Sequence, residues 1–98
     1  MAVTLIHCFE VPSGREDEFL VAWKSLTADF AAATGYLGAR LLRRSSDDIG
    51  LFAFVHVAQW ASRDAWQAAT AGDDYLAKLP AMRDFIGYSG VYDEVAEE

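Results

Sequence analysis

The residue of this sequence best suited to chemistry is His56. It stands in the middle of the run LFAFVHVAQW at 51–60, where both alternating sets of side chains are apolar. An imidazole in such a place needs a partner or a ligand. With an ordinary pKa of about 6.5 it can accept or return a proton near neutrality. A core histidine satisfied by a neighbouring side chain or carbonyl is the competing reading. Trp60 shares the strand face of His56 four residues on, a rise of roughly 13 Å, so the two cannot grip one atom. They can bracket a flat polycyclic molecule, with Trp66 closing in from the following helix.

Around this trio stands a polar minority, His7, Arg40, Tyr75, Tyr88 and Tyr92, in a chain with three tryptophans. Phe54, Trp23, Tyr75, Arg40 and His7 are the expected substrate-binding side chains. Several have plainer uses. Trp23 lies on a helix stripe and fits core filling, and His7 fits packing early in the first strand. Arg40, Arg43 and Arg44 fit solvent or subunit-edge charges, with Arg40 also able to orient an acidic substrate group. There is no glycine-rich phosphate loop, H-E-x-x-H, cysteine pair or G-x-S-x-G. Standard metal and cofactor signatures are therefore absent.

The elements that must hold these residues follow from periodicity. AVTLIHCFEV at 2–11 is β-rich and apolar on both sides, a strand covered twice over. Pro12, Ser13 and Gly14 break it. Ser13 and Glu16 have capping-box spacing, so a helix should start near Arg15, helped by Asp17 and Glu18. Phe19, Trp23, Leu26, Phe30 and Ala33 form one stripe of a long helix running to Thr34 and Gly35. A second strand at 36–44, the turn SSDDIG at 45–50 and a third strand at 51–60 make a hairpin. Ser62 caps a second helix ended by Gly72, a short helical piece from Asp74 to Leu79 stops at Pro80, and 85–95 is the fourth strand. The result is one α+β domain over 1–98, a ferredoxin-like β-α-β-β-α-β chain with a four-stranded antiparallel sheet.

Two helices cover one sheet face, yet the third strand is apolar on both. A second sheet, most economically from an identical subunit, should seal the other, giving a homodimer packed sheet to sheet. The chain has 98 residues, 53% of them hydrophobic, and a formal charge of −7 from eight Lys plus Arg against fifteen Asp plus Glu. A chain of this size buries about 60–65% of its unfolded surface, which also favours a partner. The acidic balance argues against nucleic acid and membrane surfaces. The single Cys8 suits a reducing compartment, and the first residues lack the basic region of a secretion signal, so a cytoplasmic location is expected.

The stretches F-x-V-P-S-G-R-E-D-E-F at 9–19, G-Y-L-G-A-R-L at 35–41, F-V-H-V-A-Q-W at 54–60, S-R-D-A-W at 62–66 and the closing Y-S-G-V-Y-D-E-V together resemble the antibiotic biosynthesis monooxygenase domain family. That family belongs to the dimeric α/β-barrel superfamily. The resemblance implies ferredoxin-like homodimers whose sheets pack into a barrel. Several members oxidise phenolic or quinol polyketides with O2 and use no flavin, haem or metal. In that oxygenase subgroup an Asn precedes a third-strand Trp by four positions and a Tyr follows on the helix. Trp60 matches the Trp, His56 stands in the Asn position and Trp66 in the Tyr position. Haem-degrading members use a histidine on the second helix region, and no histidine follows His56 here.

The function implied is cofactor-independent monooxygenation, with O2, of a phenolic or quinol polycyclic aromatic of polyketide type, such as an anthrone or naphthol, inserted between sheet and helices on the side of Trp23, Phe19 and Phe30. His56 would accept the phenolic proton and the tryptophans would fix the ring plane. The alternatives are a non-oxidative cyclase, dehydratase or aldolase acting on a polyketide, and a small-molecule-binding dimer without turnover.

Overall fold

The β-branched and aromatic run VTLIHCFE forms strand β1, Val3–Glu10, and Pro12 and Gly14 follow it in a turn. The computed structural model describes residues 1–98. After β1 come α1 (Glu16–Thr27), β2 (Tyr36–Arg43), β3 (Phe54–Trp60), α2 (Arg63–Ala71), α3 (Asp73–Lys78) and β4 (Ile86–Tyr92). The strands make one antiparallel sheet in the order β2-β3-β1-β4. This is the expected α+β, ferredoxin-like arrangement.

Several boundaries differ from expectation for identifiable reasons. Glu16, Asp17 and Glu18 do occupy the first turn of α1, but Arg15 is the N-cap and no side chain caps the helix. Glu16 Oε1 instead accepts from the Gly14 N–H at 2.8 Å. The helix stops at Thr27, where the Ala28 N–H turns back to the Ser25 carbonyl at 3.4 Å. A 3₁₀ turn at Phe30–Ala32 carries the apolar stripe onward with Phe30 buried. Pro80 does not end the helical region either. It sits at the start of a 3₁₀ turn, Leu79–Met82, where a missing N–H is tolerated. Ser62 behaves as read, its Oγ accepting from the Ala65 N–H at 3.1 Å to start α2.

Beneath the helices the sheet carries two buried clusters. One joins Phe9, Val11, Phe19, Leu26, Ala53, Phe54, Met82 and Phe85. The other joins Val3, Leu5, Phe30, Ala58 and Trp60. His56 lies between Phe54 and Ala58 on the same face of β3, so a polar ring separates the two apolar masses.

The opposite sheet face has no covering element. Leu42, Ile86, Tyr88 and Tyr92 are 51–56% exposed there, while Val55 and Val57 are half-buried. Register on this side is reset by a bulge. Tyr36 pairs with Trp60, but Gly38, at φ 124°, pairs with Gln59. No helix is long and apolar enough to cross a membrane.

Candidate active site

Antiparallel register places residues directly opposite one another on the same face. His56 is opposite His7 on one side and Leu41 on the other, and His7 is in turn opposite Ser89 of β4. The only two histidines of the chain are thus cross-strand neighbours under the helices. His56 is 3% exposed and is the single polar residue among the buried set.

Above this row α1 supplies Trp23, α2 supplies Trp66 and α3 supplies Tyr75. Trp23, Trp66, Tyr75, His7 and His56 all line one cavity, together with Leu5, Phe9, Leu26, Thr27, Phe30, Thr70 and Ser89. Its apolar walls come from both core clusters. Trp23 meets His56 edge to face, with ring centroids 5.1 Å apart.

The polar chemistry of the cavity is sparse. Thr27 Oγ1 donates to the Trp23 carbonyl at 2.9 Å, and Thr70 Oγ1 donates to the Trp66 carbonyl at 2.9 Å. Both threonine protons are therefore committed to the helix backbone. The ring nitrogens His56 Nε2, Trp23 Nε1 and Trp60 Nε1 are buried and have no hydrogen-bond partner within the protein; the first two belong to residues that line the cavity and the third does not. Burial pushes the His56 imidazole down to about 4, with the neighbouring His7 adding to the depression. Burial likewise pushes His7 down to about 4 and moves the Tyr75 phenol up. At neutrality His56 is an uncharged base with a free acceptor, and Trp23 is an indole with a free donor.

Three of the expected site residues lie elsewhere. Trp60 is fully buried in the second cluster against Phe30 and Tyr36 and does not line the cavity. Phe54 is locked in the first cluster, stacked on Phe19 at 4.7 Å. Both share the strand face of His56 but sit too far along it. Arg40 is opposite Val57, so the sheet separates it from His56. The bulge after Tyr36 is the cause. Without it Arg40 would be opposite His56, and with it Leu41 takes that place. The threonines and Ser89 were missed, since nothing in a hydroxyl residue's local sequence marks it as cavity lining.

The space between these walls is about 70 Å³, roughly half of the ~150 Å³ that admits a benzene ring. The expected slot for fused rings is corrected accordingly, because the walls close around one edge of such a molecule. An open groove of about 460 Å³ adjoins it, sharing Leu26, Phe30 and Tyr75 and adding Asp29, Ala33, Ala69, Gly72, Asp73 and Asp74. The stacked rings of Phe30 and Tyr75, 5.8 Å apart, belong to both linings. An ion pair from Lys78 to Asp29 at 3.1 Å ties α3 to the segment after α1 beside this groove. No group of three or more His, Cys, Asp or Glu side chains is placed to hold a metal ion.

The family described as antibiotic biosynthesis monooxygenase matches residues 2–80. No curated protein sequence matches the chain. Among solved structures, SnoaB, a cofactor-independent oxygenase from Streptomyces nogalater, superposes with a TM-score of 0.85 at 27% identity, covering 98% of this chain and 95% of its own. A conserved protein from Methanosarcina mazei Go1 reaches 0.80 at 12% identity over 97% and 94%. A dimeric ferredoxin-like protein of unknown function from Thermobifida fusca YX reaches 0.74 at 17% identity over 94% and 90%. These last two are likenesses of fold.

Proposed function

The chain belongs to the antibiotic biosynthesis monooxygenase family, and on that footing we propose that it oxidises a phenolic or quinol polycyclic aromatic with O2, without calling on a cofactor. The observation that carries this reading is the pair of unsatisfied ring nitrogens, His56 Nε2 and Trp23 Nε1, buried at one cavity. Leaving such groups unpaired costs about 1–3 kcal/mol each, and a ligand bearing a hydroxyl and an adjacent oxygen acceptor would recover it. The similarity to SnoaB, a cofactor-independent oxygenase, points the same way.

In this scheme the hydroxylated edge of an anthrone or naphthol enters the cavity while its remaining rings lie in the adjoining groove, the Phe30–Tyr75 stack parting to admit it. The phenolic O–H bond breaks and its proton moves to a ring nitrogen of His56. Trp23 Nε1 donates to an oxygen of the resulting anion. The anion passes one electron to O2, and the carbon radical and superoxide combine into a peroxide. Loss of water then leaves a carbonyl. For an anthrone the methylene carbon becomes a quinone carbonyl, one oxygen atom entering product and the other leaving as water. The protein's part is to hold the anion, exclude bulk water and orient the ring plane between Trp23 and Trp66. We read the bare apolar sheet face as the seat of a second copy of the chain, and the dimeric Thermobifida fusca relative supports that reading.

The test is turnover of 1,8-dihydroxyanthrone by purified protein in air and under nitrogen. Oxygen-dependent quinone formation that falls about 10²-fold in His56→Ala is the expected result. Turnover that persists without oxygen assigns a non-oxidative reaction instead, and binding without turnover in either gas overturns the enzymatic reading.

A further inference from the structure

Across the middle of a sheet face that is largely apolar, with Arg43 over Phe54 at the β2 edge, runs a polar row, His56, His7 and Ser89, contributed by β3, β1 and β4 through direct register. It begins at a buried ring, passes through a half-buried one and ends at an exposed hydroxyl on the sheet edge. The middle member is set toward that edge. The His7 ring stacks on Phe9 at 4.0 Å, and a methyl group at Gly87 of β4 would collide with His7 Nε2. Glycine at 87 is thus what lets the imidazole lie over β4. All three residues line the cavity that holds the unpaired Nε2 of His56.

We propose that His7 is a proton-relay residue, carrying the proton that His56 takes from the substrate out to water at the Ser89 edge and back again for the departing peroxide oxygen. This rests on the oxygenase reading above. An imidazole can accept a proton on one nitrogen and release one from the other, so two rings at facing register positions can pass a proton through a water between them with no net change in either. Each transfer breaks one N–H or O–H bond and makes another, leaving the phenolate in the site and the proton in solvent.

The need for a relay comes from the surroundings of His56. Burial, with a smaller contribution from His7, holds its imidazole near 4, and burial holds His7 near 4 as well, so neither ring stores a proton at neutrality and it must pass on to solvent. Tyr75 is the only other titratable side chain lining the cavity, and burial keeps its phenol protonated. No carboxylate faces the row to hold the charge. A route outward lets the anion accumulate according to the pH of the solution rather than the basicity of one buried ring.

Two measurements on the full chain test the relay. The first needs no turnover: imidazole ¹⁵N titration of the unliganded protein, wild type beside His7→Gln. The expected result is an upward displacement of the His56 midpoint once His7 can no longer charge. An unmoved midpoint means that the rings do not sense each other and overturns the relay, whatever becomes of the oxygenase reading. The second is steady-state oxidation with added imidazole buffer. His7→Gln should lower kcat by about tenfold or more with KM within about twofold, and imidazole should restore it saturably while leaving wild type unchanged. Gly87→Ala, which displaces the ring but keeps both histidines, should show the same buffer response more weakly. Wild-type turnover with an undiminished His7→Gln rate, or a loss that buffer does not restore, overturns the proposal. Absence of wild-type turnover defeats the oxygenase reading, and with it the relay's task.

Discussion

Trp23 and His56 meet at 86° with their ring centroids 5.1 Å apart, and each buries a ring nitrogen that no protein atom satisfies. An unpaired buried group costs stability, and Trp60 Nε1 carries the same cost away from the cavity, so Trp23 and His56 are set apart by lining one cavity together. His56→Leu is therefore expected to leave the urea unfolding free energy unchanged or raise it by about 1–2 kcal/mol while abolishing oxidation. A loss of stability beyond about 1 kcal/mol would make the ring a packing element.

Stability should also depend on pH through the two imidazoles. Both are held near 4 in the folded chain against about 6.5 when unfolded. Between those values the unfolded chain binds protons that the folded chain refuses. Stability is thus full above about pH 6.5 and declines as pH falls toward 4, by about 3 kcal/mol per group at most and less than twice that for the interacting pair. Glu18 and Asp48, held below the usual carboxylate range by hydrogen bonds from Arg15 and Ser46, add losses only in stronger acid. Urea titrations from pH 8 to 4.5 should show the slope, and a double His7→Gln, His56→Leu variant should flatten it.

Gly35 joins β2 to the segment before it at φ 85°, and a Cβ there would stand 2.6 Å from the Ala65 Cβ on α2. Gly35→Ala should cost about 2–4 kcal/mol, combining left-handed strain with displacement of the helix that carries Trp66. Thermal unfolding measures it. A cost under 1 kcal/mol would show that α2 can move away freely.

Tyr75, stacked on Phe30, lines both the cavity and the groove. Tyr75→Ala should speed the association of a phenolic ligand in stopped-flow fluorescence, and lower stability by about 1–2 kcal/mol because the ring is only partly buried. Unchanged association would place the entrance elsewhere.

Val57→Asp, near the middle of the bare sheet face, should leave the far-ultraviolet spectrum unchanged and halve the sedimenting mass if two copies meet there. A wild-type chain that already sediments as a monomer would refute the paired arrangement.

The element order was legible because its punctuation is local: Pro12, Gly35, Ser62 and Gly72 act through their own backbone or hydroxyl. The side to which His56 turns was not legible in β3, which is apolar on both faces; the helix side was favoured only because the aromatic stripe of α1 offered a matching wall, and Phe54, Ala58 and Trp60 do share its buried face. What failed was set by other strands. Arg40 lost its place beside His56 through one extra residue near Leu37, and no periodicity in β2 announces a bulge. Trp60 and Phe54 share the right face but belong to separate clusters, because distance along a strand decides which helix lies above. The stripe through Phe30 hid the end of α1, since a 3₁₀ turn can continue the same apolar line. The polar row ending at Ser89 was invisible because it exists only in the register of three strands.

The contact between Lys78 and Asp29 is exposed enough for solvent to compete, and pairs of this kind contribute at most about 1 kcal/mol. It lies between the two segments that carry Tyr75 and Phe30, so it acts as a latch rather than a lock. Raising ionic strength, by screening that contact, should therefore loosen the two segments by no more than that amount.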